Sequence, residues 1–111
     1  MKTTKQFRPL EPFLTAHLLP ALEGKLLELL AALSPDDWEK QTVSPKWRVR
    51  DVAAHLLDTQ LRKLSFCQDG VVPEVREPSS QAELVAVIDS LNEKGVSVYR
   101  SLSPRVLISL L

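Results

Sequence analysis

His55 is the residue of this chain whose type and setting could do chemistry. It follows Val52 and Ala53 and precedes Leu56, at the edge of an apolar helical face. A neutral imidazole at the interior of a helical bundle is either satisfied by a hydrogen bond or used as a metal ligand. Asp51 and Asp58 lie four residues before and three after it, on nearly the same face. A histidine and carboxylates at that spacing can share a metal inside a bundle. The same acids also read as a helix-start charge (Asp51) and as a solvated or supporting charge (Asp58). The other histidine, His17, flanks a leucine stripe one turn before Pro20 and reads as a boundary residue. Arg48, Arg50, Arg62 and Lys63 could receive a carboxylate, although scattered basic residues on helices ordinarily form solvated faces. No Ser-His-Asp order, glycine-rich phosphate loop or paired-cysteine metal knuckle is present.

Apolar periodicity places these residues on helices. Leu10, Leu14, Leu18, Leu22, Leu26, Leu29 and Leu33 recur at steps of three and four, predicting a helix over 10–33 buried against two neighbours. Pro20 predicts a kink or break near residues 16–20. Ser34-Pro35-Asp36-Asp37 is a helix-start signal opening one short turn that carries Trp38. Residues 39–46 lack periodicity and read as a loop. A second long helix spans 49–68, with Val49, Val52, Ala53, Leu56, Leu57, Leu61 and Leu64 as its apolar face, and stops at Asp69-Gly70. After the connector 71–78, Ser80 and Glu83 form a capping-box pattern. It opens a third helix over 81–101 that buries Leu84, Val87, Ile88, Leu91 and Val98. Ser103-Pro104 starts a further helix. Trp38 and Trp47 bracket the loop and read as anchors that pin it over the bundle end.

The stretch Leu33-Ser34-Pro35-Asp36-Asp37-Trp38, then Thr42, then Trp47-Arg48-Val49-Arg50-Asp51-Val52-Ala53-Ala54-His55-Leu56-Leu57-Asp58 resembles the DinB-like superfamily. It is most similar there to the metal-binding N-terminal domain of mycothiol-dependent maleylpyruvate isomerase-type proteins. The resemblance implies an all-α, up-down four-helix bundle, of which this chain holds three helices and the start of a fourth. It also implies a divalent metal, zinc or nickel, held by His55 and by two further His or Glu residues on the last helix, together with a low-molecular-weight thiol as cofactor. The sequence departs from the pattern in two places. Arg48 replaces the small hydroxyl residue usual before the valine, which removes a helix cap. No residue after Arg100 is His, Asp, Glu or Cys, so His55 is the one ligand the pattern carries over.

With 111 residues the chain is expected to be a single helical domain, the N-terminal part of a longer DinB-like domain. Its last residues, Val106 to Leu111, continue an apolar helical pattern without a cap. The expectation is a truncated, inactive piece of a metal- and thiol-dependent enzyme, or a non-enzymatic helical module that completes its core as a homo-oligomer through apolar helix faces, above all this exposed C-terminal one. Lys and Arg number 14, as do Asp and Glu, so the net charge is zero. That balance argues against nucleic acid and anionic membrane as partners. The basic residues Lys2, Lys5 and Arg8 read as a frayed tail. The single cysteine, Cys67, reads as a small buried or half-buried apolar residue and points to a reducing compartment. Without a secretory signal or a long apolar run, the expected location is the cytoplasm.

Overall fold

A computed structural model describes residues 6–111; Lys2 and Lys5 of the basic tail lie outside the described residues. A 3-10 turn at Ala16–Leu18 precedes five α-helices. These are α1 (Leu19–Ala32), the single turn α2 (Pro35–Trp38), α3 (Val49–Asp69), α4 (Gln81–Tyr99) and α5 (Pro104–Leu110). The fold is all-α, with three long helices, the short capped turn and a two-turn helix at residues 104–110. An isolated antiparallel bridge between Gln41 and Arg48 closes the α2–α3 loop.

Local chemistry sets most of the helix ends. Ser34 Oγ accepts from the Asp37 N–H at 3.2 Å while Asp37 Oδ2 accepts from the Ser34 N–H at 3.0 Å, a reciprocal box with Pro35 at the first helical position. At the start of α3 only half of such a box forms. Asp51 Oδ2 accepts from the Arg48 N–H at 2.9 Å, but Arg48 has no side-chain acceptor to return the bond. Gly70 ends α3 in the left-handed region at φ 67°, where a side chain would be strained. Ser80 caps α4 by accepting from the Glu83 N–H. The Glu83 carboxylate, however, is bound by the N–H and hydroxyl of Ser79, so the reciprocal half is displaced by one residue. Ser103 caps α5 through the Val106 N–H.

The first helix begins later than its leucine period predicts. Residues 6–15 are not helical, and α1 starts at Leu19 with Pro20 in its first turn. The pyrrolidine ring would clash with the carbonyl four residues back, at Ala16, so an α-helix cannot run through this point. The leucine stripe is correspondingly bare: Leu10 and Leu14 are each 87% exposed, and Leu18, Leu22 and Leu29 are also exposed. Within α1 only Leu30 is buried, with Leu26 and Leu33 packed beside it.

The core joins Leu30 of α1, Trp38 of α2, Ala53, Ala54 and Leu57 of α3 and Leu107 of α5. Tyr99, Leu102, Ile108 and Leu111 pack around it. Contrary to the expectation for the terminal segment, Leu107 is fully buried and Ile108 and Leu111 have partners; Val106 and Leu110 stay exposed. The predicted apolar faces of α3 and α4 are buried at only one end. Leu61, Leu64, Leu84, Ile88 and Val98 are exposed, while Ala53, Ala54, Leu57, Gly95 and Val96 are buried. Periodicity finds the apolar face of a helix, but neighbours decide how much of it is covered.

The result is an open arrangement. A folded monomer of this mass exposes roughly 6,100 Å², whereas this chain exposes 9504 Å². Its radius of gyration is 18.3 Å, against about 13 Å for a compact domain of similar length. No helix among the described residues is long and apolar enough to cross a membrane.

Candidate metal-ligand site around His55

His55, Thr59, Arg62, Lys63 and Phe66 follow one another along a single side of α3, where helical spacing brings them into line. Ile88 and Asn92 of α4 and Val71 and Pro73 of the connector complete the walls of an open cavity of about 460 Å³. His55 is half-buried, and its Nδ1 is fully buried without a hydrogen-bond partner. Its ring lies against Trp47, with centroids 4.8 Å apart and planes at 39°. Trp47 is placed by the loop that precedes it. The Trp47 carbonyl accepts from the Thr42 N–H at 3.1 Å, from Thr42 Oγ1 at 2.7 Å and from Gln41 Nε2 at 3.0 Å. Thr42 therefore acts through Trp47 on the imidazole.

The two aspartates flanking His55 are both buried and both engaged elsewhere. Asp51 caps α3 and pairs with Arg100 Nε at 3.2 Å, which ties the start of α3 to the end of α4. Asp58 accepts from Arg62 Nε at 2.9 Å, and Arg62 Nη2 donates to Asn92 Oδ1 at 3.0 Å. Asp58 is thus a supporting charge. Among the described residues no group of three or more His, Cys, Asp or Glu is placed to hold a metal ion. The site that the Asp51, His55 and Asp58 spacing allows is not formed, because Asp51 is taken up by the Arg48 N–H and Arg100 and Asp58 by Arg62.

The remaining candidates fall elsewhere. His17 is exposed on the 3-10 turn. Cys67 is exposed, correcting its reading as a buried apolar residue: the last turns of α3 extend beyond the packed end of the bundle. Trp38 is the buried anchor that its size predicts. Arg48 and Arg50 are not simply solvated. Arg48 Nη1 donates to Glu39 Oε2 at 3.0 Å, and Arg50 Nη1 donates to the Arg100 carbonyl at 3.1 Å. Arg50 Nε lies 2.9 Å from Glu39 Oε1, out of line for a hydrogen bond. These cations staple the bundle end, and Arg62 serves the α3–α4 contact. The Asp58–Arg62 pair was visible as an i,i+4 spacing; the Asn92 and Trp47 contacts cross between elements and had no local signal.

The family model for the mycothiol maleylpyruvate isomerase N-terminal domain matches residues 19–111, from the first residue of α1 to Leu111. The chain belongs to this DinB-like family. No curated protein and no solved structure matches it. Within this mycothiol maleylpyruvate isomerase N-terminal domain, the motif residues have distinct jobs. Ser34 and Asp37 close the α2 turn, Trp38 fills the core, Thr42 holds Trp47, Asp51 caps α3, and His55 is left with an orphaned ring nitrogen. An orphaned buried imidazole nitrogen suits a ligand or a ligand-supporting contact, but a single donor does not make a metal centre. Residues 6–111 by themselves do not fit a complete one.

Proposed function

We propose that this domain is one part of a metal- and thiol-dependent isomerase-type enzyme, in which His55 is one coordination arm and the other donors come from polypeptide outside residues 6–111. The unpartnered, buried Nδ1 of His55, held in place by Trp47 at the wall of an open cavity, carries this reading. A divalent metal, zinc or nickel, would supply Lewis acidity for a carbonyl substrate or for the thiol that the family description names. The residues of this chain would orient the ligating ring and wall off one side of the site. Alone, the chain is expected to be inactive.

Zinc titration of the chain tests this, in a His17→Ala background that removes the exposed imidazole. The expected result is weak uptake, with no stoichiometric site tighter than about micromolar, and loss of that uptake on His55→Ala. Stoichiometric submicromolar binding would overturn the shared-site reading. Uptake indifferent to His55→Ala would overturn the assignment of the arm.

A second reading is favoured by the surface area: a non-enzymatic helical module that pairs with a second copy. The surplus over a compact monomer, roughly 3,400 Å² per chain, exceeds the roughly 1,000–2,500 Å² that each partner of a permanent homodimer buries. The exposed leucines of α1 supply an apolar face for such pairing. Sedimentation decides between them, since a stable monomer with cooperative melting contradicts the module.

A further inference from the structure

Arg62 stands at the wall of the His55 cavity with its guanidinium tethered to two helices. Nε and Nη2 lie 2.9 and 2.8 Å from Asp58 Oδ2, and Nη2 also donates to Asn92 Oδ1. Asp58 in turn is 7% exposed. Its carboxylate fills the space that a β-carbon on Gly95 would take. The absence of a side chain at Gly95 is what lets the carboxylate sit between the helices and anchor the arginine.

One edge of the guanidinium stays free. Nη1 makes no hydrogen bond among the described residues, and the Arg62 side chain is 34% exposed. Lys63, the next residue, is exposed, is in no ion pair among the described residues and lines the same cavity. Asp58 cancels one of the two positive charges, which leaves a net positive wall. Phe66, Val71, Pro73 and Ile88 make the rest of the lining largely apolar. An apolar wall beside a fixed, partly free guanidinium complements a small organic anion, whose hydrocarbon body and charged end have different requirements.

We propose that Arg62 is the residue by which the His55 cavity selects a carboxylate-bearing small molecule over a neutral one, with Asp58, Asn92 and Gly95 as its positioning residues. The proposal deepens the reading of His55 as the centre of this site and rests on it for the site's location. It does not require that a metal be bound.

Benzoate is the probe, and benzamide its neutral counterpart, titrated into the 111-residue chain with chelator present and followed by NMR. Benzoate should shift the Trp47 indole N–H and Arg62 Nε–H signals saturably and bind about fivefold or more tighter than benzamide, the scale of one charge-assisted contact. Arg62→Gln should abolish that preference, and Arg62→Lys, which keeps the charge but not the fork, should restore it only in part. Gly95→Ala should lower the preference while the helical circular dichroism persists. Equal binding of the two probes, no saturable shift with benzoate, or an unchanged preference in a folded Arg62→Gln protein would overturn the proposal. Should Arg62→Gln unfold, Asn92→Ala decides, because it releases one tether of the guanidinium: a preference reduced by about half or more supports Arg62 as the selecting group, and an unchanged one contradicts it. His55→Ala should lose zinc uptake and keep the benzoate preference, so the two readings fail separately.

Discussion

The carboxylate of Asp58 occupies the place where Gly95 has no β-carbon, so α3 and α4 meet through a charged group lodged in a glycine notch. Gly95→Ala sets two effects against each other. Alanine favours the helix by about 1 kcal/mol, while forcing a methyl into an occupied space typically costs 1–3 kcal/mol. The added carbon would collide with Asp58, which is buried and cannot move without leaving Arg62 unpaired. The overlap should prevail. Urea unfolding is expected to show Gly95→Ala to be less stable, by up to about 2 kcal/mol.

Asp37 carries a pH dependence of its own. Its bonds from the Lys40 ammonium and from the backbone and hydroxyl of Ser34 hold its pKa at about 2, below the ordinary 3.8. The folded state therefore favours the carboxylate. The stabilisation is present above the ordinary value and is lost as pH falls from about 4 toward 2. Asp37→Asn should flatten the acid limb of the stability curve in that window. Thermal melts of the two proteins at pH 5, 4, 3 and 2 check this, and parallel curves would contradict it.

Two leucines report opposite sides of the domain. Leu107 is fully buried in the α1–α2–α3–α5 core, and truncation to alanine should cost about 2–4 kcal/mol. Leu29 is 60% exposed on α1. Leu29→Asp should leave a dilute monomer about as stable as before, within about 0.5 kcal/mol. In a protein that pairs through α1, the same change should shift the sedimentation profile toward monomer.

Thr42 holds the carbonyl of Trp47 through both its N–H and its hydroxyl. Thr42→Ala should cost about 1 kcal/mol. It should also loosen the indole from the imidazole of His55. Trp38 stays buried, so a change in tryptophan fluorescence would come from Trp47. Fluorescence and stability both unchanged would contradict this role for the loop.

Much of the fold could be read locally because its signals are local. Ser34-Pro35, Asp51, Gly70 and Ser103-Pro104 mark helix ends through bonds to neighbours three or four residues away, and the structure has helix ends at each. Pro20 marked the break near residues 16–20, but the leucine period continues on its N-terminal side, where residues 10–15 are not helical. Burial was the least legible feature. Leu22 and Leu29 continue the apolar stripe of Leu26, yet nothing among the described residues covers them. At the site, His55 stood out by type and motif, but its neighbours depended on tertiary contacts. Asp51 turned to Arg100, Arg62 to Asn92 and Trp47 to the imidazole.

The central claim, that the His55 imidazole is a coordination arm at an open site, is tested most directly by cobalt titration followed through NMR line broadening in the His17→Ala protein. Broadening should centre on the His55 ring and reach the indole of Trp47, whose ring lies 4.8 Å away. Broadening centred instead on Asp36 and Asp37 of α2, with the His55 ring unaffected, would contradict it.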